Sequence, residues 1–320
     1  MKLGIFTTLF QDQPLEAMLD RVAGLGLQAV ELGTGGWPGD AYCKPKDLLA
    51  SRTKAVAFRK SVESRGLIIS GLSCHGNPLH PNQAIAGDYD RIYRDTIHLA
   101  SELEVPVVNL FSGCPGDSDQ SKYPNWVTCA WPTDFETVLK WQWDQKVIPY
   151  WQEAGMLAAE NGVKLAFEMH PGFVVYNPET LLHLRNIVGP VIGANYDPSH
   201  LFWQGIDPAA SIHVLQGAIY HVHAKDTYID RVNTAANGVL DTKPYSDLVH
   251  RSWSFRTVGF GHDQFTWREL VSTLRLVGYD YVLSIEHEDA MLSVEEGLRK
   301  AVSFLREALF TEQPSAEWWD

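Results

Sequence analysis

The sequence lacks any run approaching the ~20 consecutive apolar residues that a bilayer-spanning helix needs, so no membrane span is expected. Its first residues, MKLGIFTTLFQDQP, hold only a short apolar stretch with no small-residue cleavage site behind it, and no signal peptide is expected. Basic clusters are missing too. With 26 basic and 39 acidic side chains the formal net charge is −13, which repels phosphate backbones and argues against nucleic acid as a partner. Cysteine is scarce: Cys43, Cys74, Cys114 and Cys129 lie far apart, forming neither a zinc knuckle nor a disulfide framework, and a reduced cytoplasmic location is expected. No G-x-G-x-x-G opens the first strand–helix unit, which removes the main support for a dinucleotide fold, and no standard glycine-rich phosphate cradle occurs elsewhere. There is no internal repeat and no low-complexity tract.

What is present is a strong rhythm. At 320 residues and 45% hydrophobic content, the chain suits either two ordinary domains or one closed α/β barrel of about 250 residues plus insertions. Short apolar runs recur at 2–6, 27–32, 67–73, 106–111, 164–169, 191–196, 218–223 and 281–286, with helical patterns between them. Asn177-Pro178 offers an N-cap with proline in the first helical position. Thr266…Glu269 and Ser293…Glu296 fit the capping box, and Gly162, Gly189 and Gly278 follow helical runs as terminating glycines do. Eight such units predict a single (β/α)8 TIM barrel over residues 1–310, with 311–320 as a C-terminal tail.

Two connections exceed plain loops: 113–150 after the fourth strand and 227–262 after the seventh. The first carries Trp126, Trp131, Trp141 and Trp143; the second carries Tyr228, Arg251, Trp253 and Arg256. In a barrel both rise over the C-terminal face, where active sites are built. Their aromatics either form a sugar-binding lid or pack the insertions onto the barrel.

The late strands end in polar residues. Glu168 closes the fifth run (FEMHPG), Asp197 the sixth (NYDPSH), His223 the seventh (HVHAKD) and Glu286 the eighth (SIEHED). A lone strand-end glutamate is more often a cap or an ion-pair partner, and a lone histidine more often a hydrogen-bonded core residue. Four together, on consecutive strands at equivalent heights, make a mixed oxygen and nitrogen set. That set suits Mn²⁺, Mg²⁺, Co²⁺ or Zn²⁺ and is too hard for copper(I) or an iron–sulfur cluster. Without a cation, three carboxylates would repel one another in a poorly solvated site.

With these motifs and the segment FRTVGFGHDQFTW (255–267), the chain resembles the xylose isomerase-like barrel superfamily, the sugar phosphate isomerase/epimerase group. That group includes tagatose-type epimerases, inosose dehydratase and endonuclease IV. The motifs span roughly residues 160 to 290, whereas the N-terminal half agrees in strand rhythm more than in motif. The resemblance implies one divalent metal, manganese foremost, held by Glu168, Asp197, His223 and Glu286, with His200 contacting substrate or a second metal. It implies a small carbohydrate substrate and a dimer or tetramer. Endonuclease IV relatives need a histidine on strand four and a D-x-H after strand seven. Here strand four supplies Asn109 and Ser112, and no D-x-H follows His223, so DNA repair is not expected.

In the epimerases of the group, two metal-bound glutamates face the substrate from opposite sides, one removing the proton next to the carbonyl and the other returning it. Glu168 and Glu286 would be that pair, making the expected activity an isomerase or epimerase working through an enediolate. The pattern is incomplete: PGFVVY after Glu168 and His170 contains no further glutamate, and the arginine expected after the strand-seven histidine is off its usual offset, with Arg231 nearby. His170, two residues past Glu168, points the same way while the strand persists. It is either a general acid or base or a support hydrogen-bonded to Glu168 or a loop carbonyl. An imidazole there also suits an elimination, so a lyase, deglycosylating enzyme or dehydratase acting on a 3-keto-glycoside or keto-inositol is the alternative. A non-catalytic sugar sensor is disfavoured by the intact ligand set. For the rim, His75, Arg256 and Lys225 are expected to bind substrate with His200. Glu31 would bind substrate or cap the next segment, and Lys225 and Asp226 would orient His223 or Glu286. His80, His98, His183, His213 and His250 read as ordinary helix or loop residues.

Overall fold

The apolar runs become eight parallel strands whose residues are buried on both faces, because the strands close on themselves and helices cover the outside. In the computed structural model, which describes residues 1–312, they are β1 Lys2–Phe6, β2 Ala29–Gly33, β3 Ile68–Ser73, β4 Val107–Leu110, β5 Lys164–Glu168, β6 Ile192–Tyr196 and β7 Ile219–Ala224, with β10 Val282–Ile285 as the eighth barrel member. Going round the barrel the order is β1-β10-β7-β6-β5-β4-β3-β2. The expected (β/α)8 barrel is therefore the observed fold. Residues 313–320, most of the expected tail, lie outside the described residues.

The other two strands, β8 Asp226–Ile229 and β9 Trp253–Arg256, pair antiparallel in the insertion after β7, with a helix Arg231–Asn237 between them. The connection after β4 is irregular as far as Thr133. It then forms a helix Asp134–Gln142, a π-helical turn Trp143–Val147 and the barrel helix Ile148–Glu160. The tail of the expected first insertion thus belongs to the barrel wall.

Helix starts follow side-chain chemistry. Asn177 accepts from Thr180 N–H in a reciprocal capping box ahead of the helix Pro178–Val188, and Ser293 accepts from Glu296 N–H at the helix Val294–Ala308. The helix Gln264–Leu276 starts earlier than expected. Asp263 accepts from both the N–H and the hydroxyl of Thr266, which makes Thr266 the third helical residue and not the cap.

The wall between β4 and β5 shows how the insertion is anchored. Trp151 is wholly buried, edge-on to Phe167 and Tyr93, and its indole N–H donates to Ser112 O at 2.9 Å. The Ser112 hydroxyl in turn accepts from Val175 N–H at 2.9 Å, tying the FEMHPG turn to the end of β4.

Candidate metal centre

The four strand-end residues converge. One ligand atom each from Glu168, Asp197, His223 and Glu286 lies within 4.8 Å of the others, as a single cation requires. Glu168 is the last residue of β5, Asp197 and Glu286 follow β6 and β10 directly, and His223 stands inside β7. Two of these carboxylates are under-satisfied. Asp197 Oδ1 accepts from Ser199 N–H at 2.9 Å, but Asp197 Oδ2 and Glu286 Oε2 are buried without a formed hydrogen bond. Lys225 Nζ already stands 2.8 Å from Glu286 Oε2 and 3.2 Å from Asp197 Oδ2, so it is the convergence of four donors, not an unmet charge, that suits a cation. The residues present fit a divalent ion of the oxygen-and-nitrogen-binding type.

His223 is fixed from behind. Its Nε2 lies 2.9 and 3.0 Å from the two Glu31 carboxylate oxygens, and Phe6 stacks on its ring. Nδ1 is thereby left facing Glu168 at 3.2 Å and Glu286 at 3.0 Å. A carboxylate holding the far nitrogen of a metal-binding histidine sets its tautomer and its aim. Glu31 is itself wholly buried and also accepts from Ser73 at 2.6 Å, Asn109 at 2.8 Å and Ser284 at 2.7 Å. It caps no segment, contrary to one expectation for it. The β2–β3 register shifts at Val30/Glu31, where the chain turns this side chain into the barrel.

Cations and imidazoles balance the carboxylates. Lys225 is buried, with its ammonium 2.8 Å from Glu286, 3.0 Å from Glu288 and 3.2 Å from Asp197, over the Phe255 ring. His200 Nε2 lies 3.0 Å from Glu168 and 3.2 Å from Asp197, and His75 Nε2 lies 3.1 Å from Glu168. Burial pulls the carboxyls upward. Lys225 and His200 overcome it at Asp197, hydrogen bonds from His200, His223 and His75 overcome it at Glu168, and both stay ionised far below the usual carboxylate range. Burial pulls His200 down, but Asp197 wins and lifts it to about 9. His223 is raised well above its ordinary value, Glu31 and Glu286 outweighing burial. Nδ1 is the nitrogen that would hold a cation, which would there take the place of a proton.

Other expected site residues fall nearby or elsewhere. His170 packs against His200 with ring centres 4.0 Å apart, and its Nδ1 meets the Pro171 carbonyl at 2.6 Å, the loop-carbonyl alternative. Burial and the neighbouring His200 push it down to about 3, so it is neutral at physiological pH. Its ligand atom also groups with Glu168 and His200. Arg256 is not brought to the ligands: its Nε binds Asp289 at 3.1 Å and its guanidinium lies over Phe260. Asp226 does not orient His223 or Glu286. It accepts from the backbone of Gly259, Gly261 and His262 and from Trp267 Nε1–H, and its other oxygen meets His262 Nδ1. A side chain on Gly261 would meet Thr227 O at 2.2 Å, so this loop can close onto Asp226 only with glycine there.

Sequence reasoning missed His221, which joins Glu31 and His223 in a third grouping and bonds Asn195 and Ser70. Its signal was the two-residue period of IYHVH, which aims His221 and His223 to the same interior side.

Comparison with known proteins agrees with this geometry. The model of the xylose isomerase-like TIM barrel matches residues 19–308, and the chain belongs to that family. It is 39% identical to the uncharacterized protein YfiH of Bacillus subtilis (strain 168), over 97% of this chain and 99% of that one. It is 28% identical to the inosose dehydratase of Geobacillus thermodenitrificans (strain NG80-2) over 172 residues, 52% of this chain and 54% of the relative. Among solved structures, the IOLI protein with a bound zinc atom superposes with a TM-score of 0.65, covering 98% of this chain and 100% of that one at 17% identity.

Proposed function

We propose that this protein is a divalent-metal-dependent isomerase or epimerase that moves a proton beside the carbonyl of a keto-sugar or related keto-cyclitol. The observation that carries the reading is the placing of Glu168 and Glu286. They enter one ligand cluster from β5 and β10, strands separated in the barrel by β6 and β7. A substrate seated between them offers a different face to each, which is what removing a proton with one and returning it with the other requires. A bound divalent cation, manganese foremost and magnesium, cobalt or zinc by the same donor set, would draw charge toward the carbonyl oxygen and acidify the neighbouring C–H. His75 and His200 hold the two oxygens of Glu168 in position, and Lys225 does so for Glu286.

One observation favours a second reading. Lys225 and His200 put positive donors beside the carboxylates, and a leaving hydroxyl needs such an acid. With the partial likeness to inosose dehydratase, this supports loss of water or another substituent from a keto-inositol or 3-keto-glycoside.

The test is metal analysis paired with solvent-deuterium exchange on a panel of ketoses, keto-inositols and 3-keto-glycosides. Metal-dependent deuterium uptake with the skeleton intact is the result expected for an isomerase or epimerase, and loss of a substituent the result for a lyase. Metal-free protein with no exchange on any substrate would overturn both.

A further inference from the structure

Lys225 directly follows β7, and its ammonium is folded into the metal cluster, leaving the side chain only 2% exposed. A buried ammonium is costly unless its charge is met. Three carboxylates meet it, and they are not alike. Glu286 Oε2 stands at 2.8 Å and Asp197 Oδ2 at 3.2 Å, yet among the described residues neither oxygen has a formed hydrogen bond, to the ammonium or to any other donor. Glu288 Oε2, at 3.0 Å, does accept a hydrogen bond from it. Asp197 and Glu286 belong to the ligand cluster; Glu288 does not, and its side chain is half exposed.

The lysine thus neutralises two ligand carboxylates by proximity, while its hydrogen bond goes to a third carboxylate outside the cluster. A charge contact without a directed bond is the kind that a better cation displaces. A divalent ion carries twice the charge and approaches a carboxylate oxygen at about 2.0–2.2 Å. Ion and ammonium repel when both press on the same oxygens. The bond to Glu288 gives the lysine a partner to keep when it yields the other two, and the Phe255 ring, 4.7 Å from the ammonium, also favours a cation there.

We propose that Lys225 is the stand-in cation of the metal-free centre: tethered by Glu288, it keeps Asp197 and Glu286 assembled before loading, competes with a divalent ion for them, and yields them when the ion binds. This rests on the proposed divalent metal. Lys225 and Glu288 are then positioning residues that set metal affinity, and neither is a ligand. Lysine suits the task better than arginine would. An ammonium is a compact charge on a flexible stem, whereas a guanidinium would lock carboxylate oxygens in a bidentate pair.

The experiment reads binding and stability, not turnover. Mn²⁺ affinity is measured by competition with a fluorescent chelator, and the melting temperature is followed on chelated protein. Lys225→Met keeps an unbranched stem and removes the charge. Metal-free, it should melt about 5–10 °C lower, because two buried carboxylates lose their counter-charge. It should nevertheless bind Mn²⁺ about tenfold tighter, because the competitor is gone. Glu288→Gln removes the tether and frees the ammonium to turn onto the ligand oxygens, so Mn²⁺ should bind about threefold to tenfold more weakly. Combined with Lys225→Met, that loss should vanish. Should Lys225→Met fail to fold, Glu288→Gln, at a half-exposed side chain, still gives the answer. Weaker Mn²⁺ binding by Lys225→Met would make the lysine a support for the ligands and overturn the inference, as would an unchanged affinity in Glu288→Gln; both results leave the metal reading standing. A wild-type protein that binds no Mn²⁺ would overturn that reading and the inference with it.

Discussion

The two halves of the barrel do different work at one site. Strands β5, β6, β7 and β10 end in the four residues that can hold a metal. Strands β2, β3 and β4 and the turn after β3 supply Glu31, Ser73, Asn109 and His75, which reach the same place and bind the ligands themselves or the carboxylate behind them. A ligand must present a lone pair at a fixed height, which a short motif at a strand end can do alone. A supporting residue needs only to meet its partner across the barrel, and nothing local in sequence marks it.

The largest effect expected from this division is on the ligand half. Glu286→Gln or Glu168→Gln should remove bound metal and lower any metal-dependent deuterium exchange by about 10²–10⁴-fold, read by metal analysis and exchange rates together. Full metal content in both variants would break the comparison at its strong side. Trp151→Ala offers a contrast of similar energy but different kind. It should cost about 3–5 kcal/mol of unfolding free energy by denaturant titration, with metal stoichiometry retained in the folded fraction.

A middle-sized effect belongs to the supporting half. Glu31→Gln keeps the volume and some hydrogen bonding but loses the charge behind His223. Metal affinity should fall about 10- to 100-fold, short of abolition, in a competition titration with a fluorescent chelator. An affinity equal to the wild type would show that the early strands are bystanders. A loss as complete as in Glu168→Gln would show that Glu31 is itself a ligand.

Smaller again is a pH effect on the metal-free chain. His200 is raised from 6.5 to about 9, so its share of stability is complete below pH 6.5 and is lost as pH rises through 9. The melting temperature of chelated protein should therefore decline between pH 6.5 and 9, and saturating Mn²⁺ should reduce that decline. A decline that is the same with and without metal would detach His200 from the centre. Least of all, Arg256→Gln should change metal affinity by less than about twofold, because its guanidinium is taken up by Asp289 and the Phe260 ring and meets none of the four ligands.

The legibility of the sequence follows the same division. Glu168, Asp197, His223 and Glu286 were readable because each sits at or next to the end of an apolar run, with proline-glycine after Glu168 and proline-serine after Asp197 as turn signals. Glu31 also ends such a run, yet VELGTGG gives no hint that its carboxylate turns inward to His223, 192 positions away. His221 was legible only through strand period. Arg256 and Asp226 looked like site residues because they border the motifs, but backbone donors of the loop 259–262 take Asp226, and Asp289 with the Phe260 ring takes Arg256. Thr266 is not the cap because Asp263, three residues earlier, accepts from the Thr266 N–H and hydroxyl and so starts the helix one turn sooner.

By itself, the sequence determined the eight-unit rhythm, the closed parallel barrel that follows from it, and the four strand-end donors, since each depends on contacts within one strand and its turn. Only the tertiary structure decided which carboxylate stands behind His223, that Lys225 pairs with Glu286, and that Trp126, from the insertion after β4, and Trp203, from the segment after β6, line one cavity. Those pairings join residues tens to hundreds of positions apart, and they exist only because barrel closure brings the ends of all eight strands to one rim.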